Sequence, residues 1–556
     1  MPDPPDPSGL PRPDRRPRLR LAELTAGTEL VRVAGWDPAN EADAPDRWVG
    51  GITLDSRLVD ASDVYVALPG QHTHGARFTP AAVDRGSVAV LTDPTGADMI
   101  DAAATASGVP GGPSVPVIAV ADPRAVMGPW AARLYGHPAA AMTMIGITGT
   151  NGKTTTAFLV EAALRRTGRR VGVIGTLGFR LDGVDLGGAR TTVTTPESVD
   201  LQALLALFRD RGVDSVVMEV SSHALALHRV AGIRFDAAAF TNLGRDHLDF
   251  HADMEDYFAA KASLFGPEMS RSAVVNVDDA YGRRLLDQLA GTVPAVTTSS
   301  RPDTDPPADW QVTAVDTGPG ASRVQLAGPH GDLTFRLGLP GSYNVDNAVT
   351  ALALVDAVGV DARTAALGLA EAAVPGRMQL VDLGPGAPAV VVDFAHTPQA
   401  VTAALAALDG DPLVVVLGCG GDRDRAKRRP MGAAAADGAD LVVVTDDNPR
   451  SEDPAAIRAE VLSGVRAAGP TRAREVLDGG DRRSAIRTAL AAAHRSGSPR
   501  GVVAILGKGH EPGQQVTGPD GAAVVHPFDD VQVAAEEWRV VVANGSPFTV
   551  VAGGQA

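Results

Sequence analysis

The stretch GITGTNGKTTT, from Gly146 to Thr156, carries residue types that hold phosphate. Gly149 and Gly152 permit a tight turn whose backbone N–H groups, with the N-terminus of a following helix, would face anionic oxygens. Lys153 would reach the outer phosphates, and the Thr154 hydroxyl a Mg2+ ion. Gly149, Thr150, Asn151, Gly152, Lys153, Thr154 and Thr155 are therefore the candidate nucleotide contacts. One position departs from the usual pattern: Ile147 stands where a glycine is expected five residues before Gly152. A shorter variant loop is expected; a glycine-rich turn with a chance lysine is the alternative. MTMIGI before the loop predicts a strand. Thr154 to Gly168 predicts a helix with Phe158, Leu159, Ala162 and Ala163 on its apolar side.

Elements of this kind recur along the chain. At 556 residues it exceeds one ordinary core, and two to four domains are expected. Scarce aromatics with abundant Ala, Gly and Val suit parallel sheets covered by helices. A net charge of −16 without a long basic run argues against nucleic-acid or anionic-membrane binding. Cys419 is the only cysteine, so no intrachain disulfide forms. The Pro- and Arg-rich opening lacks the apolar core of a signal peptide, and no apolar run is long enough to span a membrane. The expectation is a cytoplasmic protein without membrane insertion. Strands alternating with helix-length segments imply parallel sheets. The fold expected is α/β in three domains: a small N-terminal one, a central phosphate-loop ATPase-like parallel sheet, and a Rossmann-like C-terminal one. The boundaries expected are a disordered lead over 1–20, domains over 21–136, 137–375 and 376–543, and a tail over 544–556. Trp310 to Leu337 alternates in the manner of antiparallel strands. In the last domain AVVVDFAH, PLVVVLGCGG, ADLVVVTDDNPR and GVVAILGKGHE each end in a polar cluster, where open α/β sheets bind ligands.

The loop TGTNGKTTT resembles the ATP loop of the Mur ligase family, whose members form amide bonds with ATP. EVSSHAL (219–225), FTNLGRDHLDFH (240–251), YFAAKASLF (257–265), GSYNVDNAVTA (341–351), GRMQ (376–379) and DFAHTP (393–398) are similar to family blocks and occur in the family's order. The resemblance implies transfer of the ATP γ-phosphoryl group to a substrate carboxylate, then attack by an amine. It implies Lys153, Glu219, His247 and Lys261 as catalytic positions. Thr154, Glu219, His247 and a carbamylated Lys261 would serve Mg2+, and Asn344, Asn347, Arg377 and His396 the nucleotide. From the residues alone, Glu219 as a cap, His247 as a packed loop histidine, Lys261 as a surface lysine and the asparagines as turn residues remain open. Arg377 sits at a junction where a hinge could bring a cation to phosphates.

DSR (55–57), GCGGDRDRAKR (418–428), DDNPRSE (446–452) and GKGHE (507–511) resemble the branch of the family that uses diaminopimelate. The implied partners are UDP-N-acetylmuramoyl-L-alanyl-D-glutamate and meso-diaminopimelate, with a monomer expected. For the UDP-substrate the resemblance implies Leu54, Ser56, Gln71, His72, Thr73, Thr194, Thr195, Ser221 and Arg229. The family's polar residue before the His-Arg pair is replaced by Leu227. For diaminopimelate it implies Arg423, Asp447, Asn448, Pro449, Arg450, Gly507 and Glu511. Arg450 offers a planar fork for a distal carboxylate, which lysine lacks. A lysine-adding relative, or a kinase or switch ATPase making no amide, are the rivals. Cys419 reads as core, and no nucleophile elbow surrounds Ser221 or Ser222.

Overall fold

The computed structural model describes residues 13, 16–36, 47–70, 73–106, 114–187, 194–248, 250–318, 321–518 and 521–543. Most of the expected lead, the expected tail, and Gln71 and His72 lie outside these residues. Two compact units divide the chain. One runs to Ala314 and includes Gln325–Phe335 and Asp346–Leu369; the other holds Val315–Val324, Arg336–Val345 and the chain from Ala370.

The first unit opens with a short strand, Leu19–Arg20, paired antiparallel with Trp48–Val49. This strand lies inside the segment expected to be a lead, where the Arg18 guanidinium stacks 4.4 Å from the Trp48 ring. A five-stranded sheet follows in the order Arg32–Ala34, Val117–Ala119, Ala89–Thr92, Asp63–Ala67, Gly51–Thr53. All its pairings are parallel except the first. Its strands other than the edge strand Arg32–Ala34 are buried on both faces, which is why Asp63–Ala67, Ala89–Thr92 and Val117–Ala119 read as apolar runs. The helix Pro123–Leu134 ties this sheet to the next by close approach: a Cβ on Gly128 would lie 2.5 Å from the Ala231 carbonyl.

The large sheet of this unit places Thr143–Thr148 between Ser215–Glu219 and Ala237–Phe240, all parallel. The chain leaves Thr143–Thr148 toward Val171–Gly175 on one side and later returns on the other with Ala237–Phe240, Ala273–Asn276 and Ala295–Ser299. The phosphate-loop strand therefore sits at the switch point of a doubly wound sheet, where such folds gather ligands. Ile147 is fully buried in that strand, opposite Glu219 and Ala239. The missing glycine is thus a strand residue, and the loop is shortened to 149–152. Beyond Ala295–Ser299 the sheet continues through Trp310–Gly318, Ala321–Ala327 and Leu333–Leu337. The first of these pairs parallel with Ala295–Ser299, a strand outside the three alternating runs.

In the second unit a six-stranded sheet runs Gln379–Val381, Ala389–Asp393, Val502–Leu506, Leu413–Cys419, Leu441–Asp446, Glu475–Gly480. Only the first pairing is antiparallel. Asp393 registers with Leu506, Leu417 with Leu506, and Cys419 with Asp446, so the four polar clusters emerge at one end of the sheet. Apolar layers cover both faces.

Candidate active site

Gly149 and Gly152 have φ of +144° and +87°, a region that favours glycine. A Cβ on Gly149 would lie 2.0 Å from Thr241 Oγ1, and one on Gly152 2.3 Å from Asn347 Oδ1. The loop is thus pressed between the end of the neighbouring strand and the helix Ser342–Ala357. Thr150 N and Asn151 N donate to the backbone and side-chain oxygens of Asn242, at 2.9 and 3.0 Å. The Lys153 ammonium donates to the carbonyls of Gly149 and Thr150, each at 2.9 Å, so it already lies along the loop. Helix Lys153–Arg166 begins directly after Gly152, which aims the N–H groups of its first turn at the loop.

Glu219 ends its strand almost fully buried, and its carboxylate gathers donors from two other segments. Thr154 Oγ1 donates to Oε2 at 2.9 Å, Thr176 Oγ1 to Oε2 at 3.0 Å, and Thr176 N to Oε1 at 2.9 Å. Gly175 leaves the room, since a Cβ there would meet Glu219 Oε1 at 2.2 Å. Glu219 does not cap the next helix; Ser221 does, accepting from Ala224 N at 3.1 Å. Thr195 donates to the Glu219 carbonyl and accepts from Ser221 N, while Thr194 and Thr176 hydroxyls lie 3.3 Å apart. Arg229 is held by Glu197 Oε1 and the Thr195 carbonyl, and Arg124 holds Glu197 from its other oxygen.

Lys261 is buried rather than on the surface. Its amine donates to the Gly149 carbonyl at 2.8 Å and lies 4.6 Å from the Tyr257 ring centroid. Burial, reinforced by the Lys153 charge, holds its pKa well below the ordinary lysine range. Tyr257 shares a 3.1 Å hydrogen bond with Thr150 Oγ1, and burial raises its phenol's pKa. His247 has φ +55°, and its ring stands edge-on to His223 and Tyr257 with centroids 5.0 and 5.9 Å away. Among the described residues no group of three or more His, Cys, Asp or Glu could hold a metal. The Glu219 and Thr154 oxygens fit Mg2+, which commonly takes one or two carboxylates and completes its shell with water and phosphate.

In the N-terminal part of this unit Leu54 packs against the apolar core, Ser56 is half-buried beside the Asp55–Arg57 ion pair, and Thr73 accepts from Arg77 at 3.3 Å. Asn347 accepts from Thr156 Oγ1 at 3.3 Å. Next to it, Asp346 is half-buried, with its Oδ1 buried and lacking a hydrogen-bond partner.

In the second unit Arg377 stacks 4.3 Å above Phe394, and His396 shares a 2.8 Å contact with the Phe394 carbonyl. Asn344 Nδ2 donates to the Pro340 carbonyl at 2.6 Å, the turn role left open by sequence. The DNPR turn lies against GCGG: a Cβ on Gly421 would reach the Pro449 carbonyl at 2.0 Å, and Gly421 N donates to the Asn448 carbonyl at 2.9 Å. Arg450, at φ +52°, donates from Nε to Gln515 Oε1 at 2.9 Å and from Nη1 to the Gly421 carbonyl at 2.7 Å. Burial and then the Arg423 charge lower its pKa, so two guanidinium groups share this place. Asn448 Nδ2 donates to Glu511 Oε2 at 2.7 Å. Gly507, φ +113°, would carry a Cβ 2.6 Å from Asp447 Oδ2. Cys419 is core, as expected, with burial pushing its thiol to about 12. Sequence reading gave no role to Thr176, Tyr257, Thr241, Asn242, Lys508, Gln514 or Gln515; each acts through a partner far along the chain.

Three family models match successive parts of the chain: the Mur ligase family catalytic domain over 49–135, the Mur ligase middle domain over 147–355 and the Mur ligase glutamate ligase domain over 376–509. The chain is 48% identical over 533 residues to UDP-N-acetylmuramoyl-L-alanyl-D-glutamate--2,6-diaminopimelate ligase of Streptomyces avermitilis, covering 95% of this chain and 98% of that protein. It is 45% identical over 517 residues to the protein of the same name from Corynebacterium glutamicum, covering 91% and 95%. A solved structure of a ligase of this name aligns at TM-score 0.63 and 29% identity, over 94% of this chain and 99% of that one. Folylpolyglutamate synthase of Mycobacterium tuberculosis, solved with ADP and AMPPCP, shares the fold at TM-score 0.56 and 24% identity, over 69% and 92%.

The site also predicts a pH-dependent stability. Burial lifts the Asp346 carboxyl to about 6, above its unfolded value of roughly 4. Its contribution is therefore fully present below about pH 4 and lost as pH rises through about 6, a change on the order of 3 kcal/mol. Thermal melts should show Asp346→Asn gaining on the wild type as pH rises from about 4 to about 8. A difference that is constant with pH contradicts this.

Proposed function

The chain belongs to the Mur ligase family, and we infer that it joins meso-diaminopimelate to UDP-N-acetylmuramoyl-L-alanyl-D-glutamate with conversion of ATP to ADP and phosphate. The observation that carries the choice of amine is the Arg450 guanidinium, fixed by Gln515 and Gly421 beside a second guanidinium, Arg423. Two cations suit a carboxylate at the distal end of the amine, and Glu511 and Asp447 suit the ammonium next to it. Lysine would leave that arginine pair unsatisfied, and sites built for a polar group reject analogues lacking it by orders of magnitude.

The phosphate loop would bind ATP through the backbone N–H groups of 149–154 and the Lys153 ammonium. Attack of the substrate's glutamyl γ-carboxylate oxygen on the γ-phosphorus forms an acyl phosphate and releases ADP. The diaminopimelate amine then attacks the acyl carbon, the C–O bond to phosphate breaks, and the nitrogen loses a proton. Two anions must meet in the first step, which is where Lys153 and the loop N–H groups act. We assign Mg2+ to Glu219 and Thr154, with His247 and a carbamate on Lys261 as further ligands. The ion would supply charge neutralisation on the phosphate oxygens. Burial lowers the Lys261 pKa and so favours the uncharged amine, the form that takes up CO2. Asn344, Asn347, Arg377 and His396 are assigned to the nucleotide. Leu54, Ser56, Gln71, His72, Thr73, Thr194, Thr195, Ser221 and Arg229 are assigned to the UDP-substrate; Arg423, Asp447, Asn448, Pro449, Arg450, Gly507 and Glu511 to diaminopimelate. We place the reaction in the cytoplasm, as a step of peptidoglycan precursor synthesis carried out by a monomer.

ADP release should require the UDP-dipeptide and meso-diaminopimelate together, with L-lysine far poorer. Equal turnover without an amine would defeat the ligase assignment, and a preference for lysine would defeat the reading of Arg450. Arg450→Lys should raise the KM for diaminopimelate by about 10-fold or more, equivalent to ~1.4 kcal/mol, and leave that for ATP near wild type. After incubation with 13C-bicarbonate, a carbamate NMR signal should appear in the wild type and vanish in Lys261→Ala, along with activity. A fully active Lys261→Ala would remove the carbamate from the account.

A further inference from the structure

Lys508, in the GKGHE block, is fully buried. Its ammonium lies 3.3 Å from Asn448 Oδ1 and 3.4 Å from Glu511 Oε2, and it donates to the Gly513 carbonyl. Asn448 Oδ1 also accepts from Gln515 N at 2.9 Å, while Asn448 Nδ2 donates to Glu511 Oε2 at 2.7 Å. These contacts fix the amide one way round. Turned over, its NH2 group would face an ammonium and a backbone N–H, and its oxygen would face a carboxylate.

The consequence falls on Glu511. Its Oε2 is occupied by Asn448 and Lys508, and its side chain remains about one-third exposed. The same carboxylate can therefore accept from a ligand through Oε1 while Oε2 is anchored. Gln515, whose backbone N–H completes the Asn448 arrangement, also holds Arg450 through its side-chain oxygen at 2.9 Å. One buried cation thus stands behind both the acidic and the basic element of the pocket.

We propose that Lys508 is a positioning residue for amine specificity: it locks the Asn448 amide and through it the Glu511 carboxylate in the orientation that receives the distal ammonium of the incoming diamino acid. This rests on the assignment of the pocket to diaminopimelate. Lys508 does not touch the substrate, so its effect is confined to recognition of the amine.

Steady-state kinetics of Lys508→Met in the full-length enzyme test this, varying each substrate in turn. The expected result is a KM for meso-diaminopimelate raised 10-fold or more, with kcat and the KM values for ATP and the UDP-dipeptide within about twofold. Lys508→Gln, which keeps a donor for Asn448 Oδ1, should fall between Met and wild type, and it carries the test if the Met variant does not fold. An unchanged KM for diaminopimelate overturns the proposal. So does a parallel loss in all three KM values and kcat that tracks the melting temperature, because a purely structural lysine predicts it. Wild-type enzyme that ignores diaminopimelate would instead refute the pocket assignment.

Discussion

The buried Glu219 carboxylate ties together three segments on which the phosphate site depends. It takes one hydroxyl from the first turn of the loop's helix and a hydroxyl and an N–H from the turn after Val171–Gly175. Its backbone carbonyl takes a third hydroxyl from Thr195, in the segment assigned to substrate. A buried carboxylate that lost these donors would cost several kcal/mol, so the three segments are held in one arrangement or the site fails. The short loop follows from the same strand register. Because Ile147 lies opposite Glu219 within the sheet, the turn cannot begin before Gly149, and it must be closed by Thr241, Asn242 and Asn347 rather than by residues of its own.

The second unit solves a related problem with different parts. Four strand ends bring DFAH, GCGG, DDNPR and GKGHE residues to one end of a sheet, but strand ends alone do not orient side chains. Orientation comes from beneath. Lys508 and Gln515 set Asn448 and Arg450, and the fully buried Arg482, itself paired bidentately with Asp530, lies 4.0 Å from Asp447. The groups expected to face a ligand are thus held by two buried cations, Lys508 in the turn after Val502–Leu506 and Arg482 in the helix Arg482–Arg495, and by Gln515 in the strand Gly513–Thr517.

Much of this was legible in the sequence because the signals are local. The strand–turn–helix around Gly149, the apolar runs of parallel strands and the polar clusters at their ends each occupy about ten contiguous residues. The buried setting of Lys261 was not, since YFAAKASLF alone also suits a surface lysine; only the fold brings its amine to Gly149, 112 residues earlier. Thr176, Tyr257 and Lys508 escaped for the same reason, since their partners lie on other elements. Alternation marks the half-exposed strands at this edge of the sheet but does not give the parallel pairing of Trp310–Gly318 with Ala295–Ser299. Gln71 and His72, expected from the resemblance to meet the UDP-substrate, lie outside the described residues.

What the phosphate loop serves is the central claim: the γ-phosphoryl group goes to a carboxylate that an amine then displaces. Labelling both oxygens of the glutamyl γ-carboxylate of the UDP-dipeptide with 18O tests it directly. Mass analysis of the phosphate released during turnover with meso-diaminopimelate should find one 18O atom per phosphate. Phosphate carrying no label would mean that ATP is hydrolysed without passing through the substrate, and the account would be wrong.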